Sequence, residues 1–331
     1  MSRRRSAPLT ALLTAALLLP LAACGAGGDS PAAGDGEEKA ARPGSSFPYT
    51  VDNCGVRTTF EQAPRRVVTM NQHVTEIMLE LGLEKSLVGT AYLDDKVLPE
   101  YAKAYGAIPV LAKEYPSKEK LLAANPDFVY GGYASAFESK DGRTREELRK
   151  SGIESRLNLE YCTKGRTSMD DVYREIDEIG RTFGVGERAG QWVAGARATV
   201  KRTEKELKGS EPLPVFVYDS GDKTAFTVGG KGIGNELINR AGGRNVFADI
   251  DKSFGDATWE QVVARKPEVI VILDYGATGV EQKKQRLLKD PALRDVPAVR
   301  NKKFAVLPLS DAVLGVRAPD AIAKLAPQLA R

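Results

Sequence analysis

One histidine, His73, stands in a chain of 331 residues. That scarcity removes whole classes of chemistry. A His-Glu-x-x-His zinc helix needs two histidines, and receptors for naked zinc or manganese gather several with carboxylates. No Gly-x-Ser-x-Gly elbow is present either, so the serine-hydrolase route has no nucleophile. The acid pairs Asp94-Asp95 and Asp170-Asp171 fall where turns or helix caps are expected and give carboxylate catalysis no local support. An enzyme is therefore not expected. The glycine-rich run Gly229-Gly230-Lys231-Gly232-Ile233-Gly234 lacks the Gly-Lys-Ser/Thr of a phosphate loop and the register of a dinucleotide fingerprint. It reads as a turn into a helix from Asn235, and no cofactor is expected.

Long apolar runs are also scarce. The longest, Ala11 to Leu21, is interrupted only by Thr14 and Pro20 and is too short for a permanent membrane helix, which needs about 20 residues. Arg3, Arg4 and Arg5 precede it, and Leu21-Ala22-Ala23-Cys24-Gly25 follows. A basic start, an apolar centre and small residues before a cysteine are the order of an export signal. The last five resemble the bacterial lipobox, which implies lipidation of Cys24 and an anchor on the extracytoplasmic face of the cell membrane. Residues 1-23 are then the lipoprotein signal peptide and 24-48 a flexible tether of Gly, Ala, Ser, Pro and charge.

Removing 1-23 takes away three arginines and no acid, so the formal charge falls from +4 to +1. A nearly neutral domain argues against nucleic acid as a partner. Cys54 and Cys162 remain, in a compartment that permits oxidation, and are expected to pair; two unpaired buried thiols are the alternative.

Beyond residue 48, apolar runs alternate with helical patterns. Strands are expected at Arg66–Met70, Leu87–Thr90, Asp127–Tyr130, Val215–Tyr218, Val269–Leu273 and Phe304–Leu307. Helices are expected near Thr75–Gly82, Ser117–Ala124 and Pro319–Leu329. Such alternation implies parallel sheets covered on both faces. A weak repeat supports two related halves: Glu119 to Val129 can be laid on Glu260 to Ile270, and Glu76 to Gly82 on Glu236 to Gly242. Between the halves, Ser168 caps a helix with Asp170 and Asp171 in its first turn. Periodicity runs to Phe183, breaks at Gly184-Val185-Gly186 and resumes to about Lys208. The second helix spans about 30 Å, enough to bridge two lobes. The expected domains are an N-terminal α/β lobe at 49-167, a helical connection at 168-210 and a C-terminal α/β lobe at 211-331.

Taken together, the lipobox, the Ala63-Pro64-Arg65-Arg66-Val67-Val68 entry, the Glu119 and Glu260 segments and the run from Gly229 to Glu236 resemble the periplasmic-binding proteins for iron-siderophore, haem and cobalamin uptake. The resemblance covers roughly residues 50 to 329. It implies two Rossmann-like lobes joined by one long α-helix, a small-molecule ligand in the cleft between them, and an ABC permease with its ATPase as partner. It also implies that Glu119 and Glu260 dock on permease arginines; the plainer alternative is an acid in the first turn of each helix, favoured by the macrodipole. A monomer is expected.

Ligands of parallel α/β lobes meet loops beyond the carboxyl ends of strands. That rule selects Asn71, Gln72, His73, Tyr92 and the stretch from Tyr130 to Tyr133 in the first lobe. In the second it selects Tyr218, Asp219, Ser220, Asp274, Tyr275, Ser310 and Asp311. Tyr115 and Trp259, just before the Glu119 and Glu260 helices, are placed at the cleft edge. Arg317 offers a bidentate fork to a ligand carboxylate or phosphate, or else a structural ion pair. His73 is either a polar loop residue or a ligand contact, axial to haem or donating to an anionic chelate. An iron-siderophore or related metal chelate leads. Cobalamin, haem, a metal ion, another cofactor, or a sensory role without a permease remain open.

Overall fold

The computed structural model describes residues 47–162 and 164–330. The expected signal peptide, most of the expected tether and Cys24 lie outside the described residues. The first two strands, β1 (Tyr49–Asn53) and β2 (Val56–Phe60), form an antiparallel hairpin. Next come β3 (Val67–Met70), α1 (Gln72–Glu80), β4 (Leu87–Ala91), α2 (Ala102–Gly106), β5 (Val110–Ala112), α3 (Lys118–Ala123), β6 (Phe128–Gly131), α4 (Arg145–Lys150) and β7 (Glu154–Leu157). The helical connection is α5 (Met169–Thr182) and α6 (Gly186–Glu206). The second half runs β8 (Leu213–Tyr218), β9 (Ala225–Val228), α7 (Ile233–Arg240), β10 (Gly243–Asn245), β11 (Phe254–Ala257), α8 (Trp259–Arg265), β12 (Val269–Asp274), α9 (Val280–Lys289), α10 (Pro297–Arg300), β13 (Phe304–Pro308) and α11 (Ala318–Leu329).

Two parallel sheets result, in the orders β5-β4-β3-β6-β7 and β10-β8-β12-β13. Four strands correspond in sequence of pairing: β4 with β10, β3 with β8, β6 with β12, β7 with β13. The repeated segments occupy matching places, since α3 feeds β6 and α8 feeds β12. Both sheets are covered on both faces, and the two-residue period of a strand sorts the side chains. Val215 and Val217 enter one apolar cluster while Phe216 and Tyr218 enter the one opposite; Val269 and Val271 separate from Ile270 and Ile272 in the same way.

The connection is a pair of helices stitched into both lobes. In α5, Met169 and Val172 pack in the C-terminal core while Ile176 and Ile179 pack in the N-terminal one. Its partner α6 does the reverse: Ala189 lies in the N-terminal core, Ala196 and Val200 in the C-terminal core, and Trp192 and Val193 touch both. Gly184, at φ 73°, makes the turn between them.

The hairpin joins β1 to β2 through Cys54 (φ 55°) and Gly55 (φ 77°), the left-handed pair of a tight two-residue turn. Cys54 is bonded to Cys162, with the Cα atoms 4.8 Å apart. Beside it the Asn53 side chain accepts from Leu157 N and donates to Leu157 O, both at 2.8 Å, locking the hairpin to β7. Closing a loop across 108 residues removes much freedom from the unfolded chain. Reducing this bond is expected to lower stability by roughly 2–5 kcal/mol, read as a lower urea midpoint. An unchanged midpoint on reduction would show that Asn53 and the apolar contacts hold the hairpin by themselves.

Candidate functional site: a cavity walled by both lobes

A cavity of about 800 Å³ is lined by Tyr92, Asp94, Tyr133, Ser135, Glu160 and Tyr161 from the first half and its exit segment. Asp219, Phe226, Lys231, Ser253, Phe254 and Tyr275 line it from the second half. Its volume falls in the range of about 300–1,000 Å³ usual for small-molecule sites. Four of the residues selected from sequence meet here: Tyr92 beyond β4, Tyr133 beyond β6, Asp219 at the end of β8 and Tyr275 at the end of β12. Ser220 is half-buried beside Asp219, and Asp274 is exposed at the last position of β12.

Other selected residues serve the scaffold. Helix α1 begins at Gln72, not near Thr75, because Asn71 takes φ 97° and turns the chain straight from strand to helix. Gln72 and His73 therefore sit in a buried first turn rather than a loop. Gln72 donates to Lys96 O at 2.7 Å. His73 lies behind Tyr133, ring centroids 5.0 Å apart, and against Gly132, where any Cβ would strike the imidazole. Burial pulls its pKa down to about 4, so the ring is neutral at physiological pH. Asn71 is buried and accepts from the Tyr115 hydroxyl at 3.1 Å. Tyr115 packs at a tilt against Tyr92, centroids 4.7 Å apart, and faces a neighbouring polar cavity of about 750 Å³ that includes Glu119 and Arg143.

Tyr130 points into the core and donates to Glu175, which also holds Arg156 at 2.6 Å. Tyr218 and Trp259 belong to the apolar cluster on the outer side of β8. The Trp259 indole donates to Asp222 O at 2.8 Å and the Tyr218 hydroxyl to Gly221 O at 3.1 Å. Trp259 is drawn in because it is the first residue of α8, next to Phe216. Ser310 is buried. Arg317 is not a ligand fork: its guanidinium grips Glu76 of α1 through Nε at 2.6 Å and Nη2 at 2.5 Å, and reaches Asp311 at 3.2 Å and Lys96 O at 2.6 Å. The ion pair joins the two lobes.

Several lining residues escaped the strand-end rule. Glu160 and Tyr161 do follow a strand, but β7 reads Glu-Ser-Arg-Leu, with no apolar run to announce it. Phe226 and Phe254 come from the antiparallel pair β9–β11 and stack at 5.9 Å; a two-stranded flap lies outside the parallel-sheet pattern. Lys231 comes from the glycine-rich turn, where Gly230 approaches Ala248 so closely that a Cβ would lie 2.0 Å from its carbonyl oxygen. Asp94 belongs to an acid pair that reads as an ordinary turn.

Carboxylates dominate the electrostatics. Glu160 accepts from Ile233 N at 3.2 Å and Leu314 N at 3.0 Å, yet burial outweighs these bonds and pushes its pKa up to about 7. Burial likewise pushes Asp94 up to about 6 and raises Asp219, which accepts a hydrogen bond from the Tyr275 hydroxyl. At the surface, Glu119 and Glu260 each occupy the second position of a helix, behind the capping hydroxyls of Ser117 and Thr258. The helix N–H groups and then those caps hold both carboxylates below the usual range, so each is charged, and both are exposed. Among the described residues no three His, Cys, Asp or Glu side chains converge as a metal site, and no helix is long and apolar enough to cross a membrane.

Glu160 gives a pH dependence with a defined sign. A carboxyl whose folded pKa lies above its ordinary 4.5 contributes stability that is complete below that value and is lost as pH rises through about 7. The variant Glu160→Gln is expected to compare more favourably with the parent at pH 8.5 than at pH 4.5, by up to about 3 kcal/mol. Urea midpoints at the two pH values measure this, and a difference independent of pH contradicts it.

Comparison with known proteins agrees with this architecture. The family model for periplasmic binding proteins matches residues 67–310. An uncharacterized ABC transporter substrate-binding lipoprotein of Bacillus subtilis, YvrC, is 27% identical over 276 residues, 82% of each chain. The crystal structure of a periplasmic binding protein from Veillonella parvula superposes with a TM-score of 0.78 at 29% identity, over 85% of this chain and 97% of that one. An ABC-type Fe3+-hydroxamate transport system protein from Saccharomonospora viridis gives a TM-score of 0.73 at 28% identity, over 86% of this chain and all of that one. With its two parallel sheets, bridging helices and shared cavity, the chain belongs to the periplasmic binding protein family, as a substrate-binding protein and not an enzyme.

Proposed function

We propose that this protein is the lipid-anchored, extracytoplasmic receptor of an ABC importer and that it carries an iron-siderophore or related metal chelate between its lobes. The observation that carries the reading is the cavity itself. Its volume of about 800 Å³ suits a chelate rather than a bare ion, and Tyr92, Tyr133, Tyr161 and Tyr275 line it. A phenol ring packs on a flat or greasy chelate while its hydroxyl finds a polar edge. The likeness to a protein of an Fe3+-hydroxamate transport system supports the same class. The buried position of His73 speaks against an axial imidazole for haem.

Glu119 and Glu260 fit a docking role. Both are exposed at the second position of a capped helix, at corresponding places in the two lobes. Complementary charge at two separated points sets the register of a partner more than it adds affinity. Cys24 supplies the anchor, and several acyl chains on one residue hold a protein at a membrane where a single chain does not.

Two measurements test the proposal. Native mass spectrometry of the purified protein with ferric trihydroxamates is expected to show a one-to-one complex; no complex with any metal chelate removes the reading. In cells, Glu119→Arg with Glu260→Arg is expected to cut uptake of the bound chelate at least tenfold while its affinity for the purified protein stays within twofold. Undiminished uptake rejects the docking assignment.

A further inference from the structure

The cavity wall carries a charge bias. Asp94, Glu160 and Asp219 contribute three carboxylates from three separate segments. Two cations line it, Lys231, which is paired with Asp251 at 3.0 Å, and the exposed Lys252, and neither stands among the groups that shift the three carboxylates. The arginines near in sequence are committed elsewhere. Arg317 is spent on Glu76 and Asp311, and Arg166 donates to Ala248 O at 3.2 Å. Behind Tyr275, Lys283 donates to Leu273 O at 2.6 Å and only partly offsets Asp219.

The carboxylates also differ in how well they are satisfied. Glu160 has backbone donors on both oxygens. Asp219 has the Tyr275 hydroxyl on one. Asp94 is the least satisfied member: the Gln72 N–H and the Asn71 side-chain amide lie close enough to favour its charge, but burial outweighs them and no bond of good geometry closes on its Oδ2. A buried carboxylate oxygen left in that condition is costly, and a donor arriving with the cargo relieves the cost. An anionic group brought to the same wall meets like charge in a medium of lowered dielectric.

We infer that the cavity selects chelates of neutral or positive overall charge that present N–H or ammonium donors to Asp94 and Asp219, and that it discriminates against polyanionic chelates. This rests on the metal-chelate reading above and narrows it to one charge class.

The test is calorimetric titration at pH 8, above the values of about 6 and about 7 to which burial pushes Asp94 and Glu160, with four probes. Ferrioxamine B is a cationic ferric trihydroxamate, and cyanocobalamin presents neutral amides. Ferric enterobactin is a trianionic tricatecholate, and haemin carries free propionates. At least one of the first two is expected to bind tenfold or more tighter than both anionic probes. In Asp94→Asn with Asp219→Asn, that preference is expected to shrink at least tenfold. If that variant fails to fold, the parent at 50 and 500 mM salt replaces it, because attraction of the cationic chelate to the wall must weaken as screening grows. An anionic probe that binds as tightly as the others overturns the charge inference and leaves the chelate reading standing, as does a preference unmoved by both the substitutions and salt. If none of the four binds, the chelate reading falls and takes this inference with it.

Discussion

The arrangement of the lobes turns on the buried ion pair between Glu76 and Arg317. Glu76 lies in α1 of the first lobe and Arg317 at the start of α11 in the second, and both side chains are 5% exposed or less. Burying two charges is expensive, and the cost is met only where geometry is good and the remaining donors are used. Here two parallel hydrogen bonds join the partners, Leu98 N adds a further bond to Glu76, and Asp311 and Lys96 O accept from other guanidinium N–H groups. Loss of one member from such a pair costs about 3–5 kcal/mol, whereas an apolar replacement of both is often neutral. The pair therefore specifies how the lobes face one another more than it adds to stability. Close by, Asn158 donates to Leu314 O at 3.1 Å and Glu160 accepts from Leu314 N, so the segment around Leu314 is held from two directions.

The cavity inherits its chemistry from that constraint. With the lobes held by Arg317 and spanned by α5 and α6, strand ends from both sheets face a common space. Their acids and phenols are brought into an environment that disfavours charge. Glu160 shows the consequence most clearly, since even two backbone donors do not keep its carboxyl acidic. The same forces that build the wall set which cargo it tolerates.

Much of the fold was legible because strands buried on both faces spell themselves as runs of Val, Ile, Leu and Phe. That is true of β8 and β12 and, in a shorter form, of the Val67-Val68 start of β3, while Gly184 marked the helical break by its freedom to take positive φ. The hairpin β1–β2 and the antiparallel pair β9–β11 were not legible, since short alternating segments such as Tyr-Thr-Val-Asp-Asn carry little periodicity. Within the site, the strand-end rule found Tyr92, Tyr133, Asp219 and Tyr275 but could not tell which way neighbouring side chains point. Tyr130 and Tyr218 sit within the strands, one residue and more before the loops, and the alternation of the pleat turns them into the core. Arg317 was visible as an unusual charge in an apolar stretch; its partner, 241 residues away in sequence, was not.

The bond between Cys54 and Cys162 has a topological consequence. Strands β2 through β7 all lie between its two ends, so the whole five-stranded sheet sits inside one covalent ring. A protease working outside the cell that nicks any surface turn within this ring releases no fragment. The severed ends stay tethered within the same lobe, and their strands are free to re-pair. In the second lobe no such ring exists among the described residues, and a single cut there divides the chain.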